Sequence, residues 1–137
     1  MIAKAYFGRR YALSASHRLH SDLLSEEENR TTYGKCNNPF GHGHNYIVEV
    51  VVGGKVDPET GMVLNMATLD EVVQHNVLER FDHTNLNFDP MFVDRVPTTE
   101  NLCREIFRLL EKSLPKVDLA RVRVEETENN FFEFCGD

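Results

Sequence analysis

The stretch KCNNPFGHGHNY, residues 35–46, sets one thiol, Cys36, shortly before a His-x-His pair, His42 and His44. Thiolates and imidazoles are donors that Zn²⁺ prefers. Two chemistries are open to this set. Either all three side chains close a structural metal knot, or the histidines hold a metal while the cysteine acts beside it. A third imidazole, His17, ends a run in which Phe7, Tyr11, Leu13 and Ala15 share one parity. Residues two apart in a strand leave the same face, so His42 and His44 point together with Tyr46, Val48, Val50 and Val52. If the two segments pair antiparallel, the end of the first lies beside the start of the second, and His17 joins the pair. Three neutral imidazoles from adjacent strands would leave a coordination position free for substrate or water. With Cys36 as fourth ligand the site closes. Held near the cation but unbound, the thiol falls below its usual pKa of about 8.5 and becomes a base or nucleophile.

Asp82 and His83 are adjacent in the loop FDHTNLN, and a carboxylate beside an imidazole can orient it for proton transfer. Glu126 follows Val122 and Val124 at the same parity, which puts a carboxylate on an inward apolar face. Such a group needs a partner: a ligand rich in N–H donors, a buried arginine or backbone amides all qualify. His20 reads as a loop residue and His75 as a residue of an exposed helix face. Cys103, beside Leu102, reads as helix packing, and Cys135 as a terminal residue without a role.

The elements that must position these residues can be read in turn. Residues 5–17 and 42–56 form two long antiparallel strands. Between them lie the acidic run SEEEN (25–29), read as a solvated loop, and the cysteine segment. DPETG is a turn. The segment MATLDEVVQHNVLERF (66–81) predicts a helix with an apolar stripe of Leu69, Val72, Val73, Val77 and Phe81. Thr68 and Glu71 fit a capping box, and Asn65 is an alternative cap. A second helix begins at Thr98 or Thr99 and runs through Leu102, Ile106, Leu109 and Leu110 to Leu114-Pro115. The tail reads as strand, turn and strand. The order β-β-α-α-β-β predicts an α+β sandwich, a four-stranded antiparallel sheet with both helices on one face. The other face then needs cover, and self-association supplies it.

Length and composition fit one domain spanning 1–137: 41% of residues are hydrophobic and 27% charged. The net charge of −7 and the lack of a Lys/Arg cluster argue against nucleic acid as partner. No stretch reaches the roughly 18 apolar residues of a membrane span, and MIAKAYFGRRYAL lacks the apolar core of a signal peptide. Three scattered cysteines point to a reducing compartment, the cytoplasm.

As a set, these residues resemble the 6-pyruvoyl-tetrahydropterin synthase family. The likeness covers SASHRL (14–19), YGKCNNPFGHGHNY (33–46), DPETGMVLNMATL (57–69), FDHTNL, TTEN (98–101) and EETENN (125–130). A cysteine six residues before His-Gly-His is the spacing of the true synthases, whereas related carboxy-tetrahydropterin synthases have a shorter gap. Phe40 stands where a polar residue is commoner, and Glu125 where a bulky one is typical; neither removes a functional group. The resemblance implies the tunnelling fold, in which trimers close their sheets into a barrel and two trimers stack into a hexamer. It implies conversion of 7,8-dihydroneopterin triphosphate to 6-pyruvoyl-tetrahydropterin with loss of triphosphate, a lyase step towards tetrahydrobiopterin. By the same resemblance His17, His42 and His44 hold Zn²⁺, which binds the substrate's side-chain hydroxyls as a Lewis acid. Cys36 is the general base, and His83 with Asp82 relays its proton. Glu126 holds the pterin ring, and Thr99 and Glu100 line the pterin pocket. Charge and proximity in sequence add Lys35, Arg18 and Arg9 as residues facing the triphosphate.

Overall fold

The computed structural model describes residues 4–114 and 117–137. Strands β1 (Lys4–His17) and β2 (His42–Lys55) pair antiparallel along their whole length, with Leu13 opposite Tyr46 and His17 opposite His42. The alternation read from the sequence is realised: Leu13, Ala15 and His17 of β1 and Tyr46, Val48, Val50 and Val52 of β2 are all buried. Between the strands the acidic run is not a loop. It opens helix α1 (Glu26–Tyr33), where the Ser25 hydroxyl accepts from Glu28 N–H and the Glu28 carboxylate accepts from Ser25 N–H. Three glutamates in the first turn also suit the positive end of the helix dipole. Only Asn29 of α1 is buried, so the helix lacks the apolar stripe by which helices are usually recognised.

Helix α2 (Met66–Val73) is capped by Asn65, whose side chain accepts from Ala67 N–H at 2.8 Å; Thr68 lies inside the helix rather than at its cap. The helix continues through a π turn (Gln74–Leu78) into a short α3 (Glu79–Phe81). The π turn has a packing reason. Leu69, Val73, Val77 and Phe81 are fully buried at strict four-residue spacing. An α-helix of 3.6 residues per turn would carry such a repeat about 40° further round at each step. The wider turn takes back part of that drift. Asn76 Nδ2 donates to the Val72 carbonyl at 2.8 Å, satisfying an acceptor within the disturbed ladder.

After α3 the chain forms a two-residue strand β3 (Thr84–Asn85), parallel to β1 at Ala15 and Ser16. Helix α4 (Thr99–Ser113) is capped by Thr98 and buries Leu102, Cys103, Ile106, Phe107 and Leu110. Pro115 of the expected helix stop lies outside the described residues; Leu114 is the C-cap. Strands β4 (Asp118–Glu125) and β5 (Phe131–Phe134) complete a sheet of order β3-β1-β2-β4-β5. The architecture is α+β as read, but the sheet has five strands and is mixed, not four-stranded and antiparallel. The added strand is too short to carry a period. It is held by the bond from His83 N–H to the Ser14 carbonyl, at 2.6 Å, just before the pairing begins.

Candidate active site

His17 and His42 face one another in the last pair of the β1–β2 ladder, with His44 one same-face position further on. Their nitrogens come together: one ligand atom from each of the three imidazoles lies within 4.8 Å of the others. Cys36 is not part of this cluster. His17 Nδ1 lies 2.8 Å from the Pro97 carbonyl. A carbonyl only accepts, so Nδ1 carries the proton and Nε2 keeps its lone pair, the usual orientation of a metal-ligating histidine. That Nε2 sits 3.1 Å from His42 Nε2. Burial pushes the His17 and His44 imidazoles below their ordinary pKa, towards the neutral form that binds metals. His44 Nε2 is buried and, among the described residues, has no hydrogen-bond partner. Glu126 Oε1 is 3.4 Å away but not aligned for a hydrogen bond. A cation bound by the three imidazoles would answer this uncompensated nitrogen, so the donor set fits a metal.

Beside the cluster opens a cleft of about 950 Å³ lined by Arg18, Arg30, Lys35, Cys36, His42 and His44, among others. Cys36 lies in a single 3₁₀ turn (Gly34–Asn37) that follows α1. Partial burial and the nearby Glu126 carboxylate hold its thiol above the ordinary value. Gly41 lets the chain return to β2: its φ is +73°, and a Cβ there would stand 3.0 Å from the His17 carbonyl oxygen. Glu126 lies just past β4 with only 17% of its side chain exposed, and the Thr99 hydroxyl donates to its Oε2. The inward carboxylate expected from parity is thus in place, with a threonine as one partner. Tyr46 is buried beneath the imidazoles, its ring 5.6 Å from that of His44.

Asp82 and His83 are held at the edge of β1. Asp82 Oδ1 accepts from Ser14 N–H at 2.8 Å and lies 3.1 Å from His83 Nδ1. His83 has φ +61°, the only positive φ among non-glycine described residues, and its side chain is 83% exposed. It lines a second, smaller cavity with Ser14, Asn45 and Thr84; His44 borders both cavities, but Cys36 lines only the first. The two halves of the expected relay therefore occupy different cavities of one chain. Glu100 is exposed in the first turn of α4.

Of the three cations assigned to the triphosphate, Lys35 and Arg18 line the cleft. Arg9 does not. Its guanidinium is taken by Asp70 through bonds of 2.6 and 3.0 Å, and Arg30 of α1 lines the cleft instead. Reading 25–29 as a solvated loop leaves Arg30 without a role; the Ser25-x-x-Glu28 capping box is the signal that finds its helix. Burial pushes the Cys103 thiol up to about 12, consistent with a packing residue. Cys135 is exposed. His20 lines the cleft, and His75 is exposed beside Glu79.

A helix-backed sheet whose strand ends gather three imidazoles beside a thiol and a carboxylate describes a class of site built for metal-assisted chemistry. The chain belongs to the 6-pyruvoyl tetrahydropterin synthase family, whose model matches residues 7–137. It is 49% identical over 135 residues to the human 6-pyruvoyl tetrahydrobiopterin synthase, covering 98% of this chain and 93% of that one. It is 48% identical to the Poecilia reticulata protein of the same name, over 96% of this chain and 90% of the other. The solved structure of the Caenorhabditis elegans 6-pyruvoyl tetrahydropterin synthase superposes with a TM-score of 0.94 at 42% identity, covering 99% and 98% of the two chains. Membership is consistent with an enzyme acting on a pterin. Among the described residues, no helix is long and apolar enough to cross a membrane.

Proposed function

We propose that the chain is a zinc-dependent lyase that converts 7,8-dihydroneopterin triphosphate to 6-pyruvoyl-tetrahydropterin and triphosphate, on the route to tetrahydrobiopterin. The observation that carries this reading is the buried His44 nitrogen, without a hydrogen-bond partner among the described residues, within a three-imidazole cluster beside the cleft that Cys36 lines. His17, His42 and His44 hold the ion. Bound there, Zn²⁺ would supply Lewis-acid polarisation of the substrate's side-chain oxygens. Its positive charge would also oppose the burial and the carboxylate that hold the Cys36 thiol up. Cys36 removes a proton from the substrate's side-chain carbon as general base. His83, oriented by Asp82, takes that proton on. Glu126 accepts from the pterin's ring and amino N–H groups, and Thr99 fixes the carboxylate's orientation; Glu100 completes the pterin pocket. Arg18, Lys35 and Arg30 face the triphosphate.

The residues 1–137 work as one synthase domain in the cytoplasm, assembled as a hexamer of two barrel-forming trimers. Placement of Cys36 and His83 in separate cavities of one chain supports active sites shared between copies. Incubating purified protein with 7,8-dihydroneopterin triphosphate and identifying the products tests the function. Equal amounts of triphosphate and 6-pyruvoyl-tetrahydropterin are expected; a different pterin product would overturn it.

A further inference from the structure

Arg18 and Leu19 carry the chain past the last ladder pair of β1, into a gap between two loops. On one side Leu19 N–H donates to the Cys36 carbonyl at 2.8 Å, and Asn37 Nδ2 donates to the Leu19 carbonyl at 2.7 Å. Arg18 Nε also donates to the Asn37 carbonyl at 3.2 Å. On the other side Asn87 accepts from Arg18 N–H at Oδ1, 2.7 Å, and donates from Nδ2 to the Arg18 carbonyl, 3.0 Å. One amide side chain thus answers both backbone groups of one residue, as a neighbouring strand would. The two residues that follow His17 are stapled to the turn bearing Cys36 and to the segment behind His83.

We propose that Asn37 is a positioning residue: through Leu19 it fixes the Cys36 turn relative to His17 and the imidazole cluster. Asn87 does the corresponding work for the segment following Asp82 and His83. The proposal rests on the reading of Cys36 as general base. Its physical need is clear from the turn itself. Gly34–Asn37 is a single 3₁₀ turn with no side-chain cap at its start, and such short turns have poor hydrogen-bond geometry of their own. A base must stand within hydrogen-bond reach of the proton it takes, and a misplacement of about 1 Å can cost about 10²-fold in rate. Asn37 is the neighbour of Cys36, is only 8% exposed, and spends its donor on a backbone carbonyl. It therefore acts on where the thiol sits, without being a metal ligand.

Two variants remove the donor differently. Asn37→Asp keeps the size and turns an acceptor towards the Leu19 carbonyl; Asn37→Ser is uncharged and too short to span the bond. Three quantities are measured on the metal-loaded protein: metal per chain, kcat and KM, and the rate of iodoacetamide alkylation mapped to the Cys36 peptide. Both variants are expected to keep their metal and a KM near wild type while kcat falls about 10–100-fold. Both should alter the Cys36 alkylation rate several-fold in the same direction. Asn87→Asp, which breaks only the other staple, should leave that rate as in wild type. Loss of metal in the Asn37 variants, unchanged kcat and alkylation, or an equal alkylation change in Asn87→Asp would each overturn the proposal. If Cys36→Ala retains activity, the general-base reading fails, while the alkylation rates still judge the placement on their own.

Discussion

The middle of the β1–β2 ladder and its histidine end treat the polar groups of the helix-covered face in opposite ways. Midway along it, half-buried Arg9 and Tyr11 leave β1 on that face and meet Asp70 of α2, through two guanidinium bonds and a hydroxyl bond of 2.7 Å. Every charge there is answered. Hydrogen bonds from Arg9 and then Tyr11 hold the Asp70 carboxyl below its ordinary value. At the histidine end, on the same face of the same strands, three imidazoles crowd together and His44 Nε2 meets no partner among the described residues. The first cluster completes itself and reads as structure. The second is complete only with something added, and such sites are where function is found.

The sharpest way to break this contrast is to truncate the unsatisfied end. His42→Ala should lose its metal and, with it, nearly all activity, as metal analysis and product formation would record. Cys36→Ala should keep close to one metal per chain yet lose about 10²–10⁴ in rate; a metal-free Cys36→Ala would make the cysteine a ligand. Glu126→Gln retains shape but loses charge, so substrate affinity should weaken about 10–100-fold with metal retained, matching one charge-assisted hydrogen bond. At the satisfied mid-ladder cluster the effect should be smallest and of another kind. Asp70→Asn should lower the melting temperature modestly and leave metal content and kcat unchanged. Because the folded-state pKa of Asp70 is depressed, its contribution is present above the ordinary aspartate value near 3.8 and fades as pH falls through the lowered one. The gap in melting temperature between wild type and Asp70→Asn should therefore close on acidification.

How far the sequence reveals this molecule depends on whether a residue's role is periodic. The meeting of His17 with His42 follows from parity together with antiparallel pairing of two successive strands, and the inward carboxylate of Glu126 from parity alone, because a two-residue period with one buried face fixes which side each takes. The helix caps at Asn65 and Thr98 were within reach for a similar local reason. Helix α1 is not, since its only buried residue, Asn29, is polar and leaves no apolar stripe to read. Nor was β3, two residues long and held by the Asp82–His83 corner. Arg9 looked like a ligand for phosphate because its charge is visible in sequence while its partner, Asp70, lies far along the chain. The clamps made by Asn37 and Asn87 are wholly long-range and carry no local signature.

The π turn at Gln74–Leu78 bears on how this chain can change length. Elsewhere in the helix, gain or loss of one residue would swing everything beyond it by about 100° about the axis, carrying Phe81 out of the core and Asp82 away from Ser14. Within the turn the helix already holds slack. The segment is thus the one place in 66–81 where an insertion has in effect been absorbed, and the corner bearing His83 inherits its aim from it.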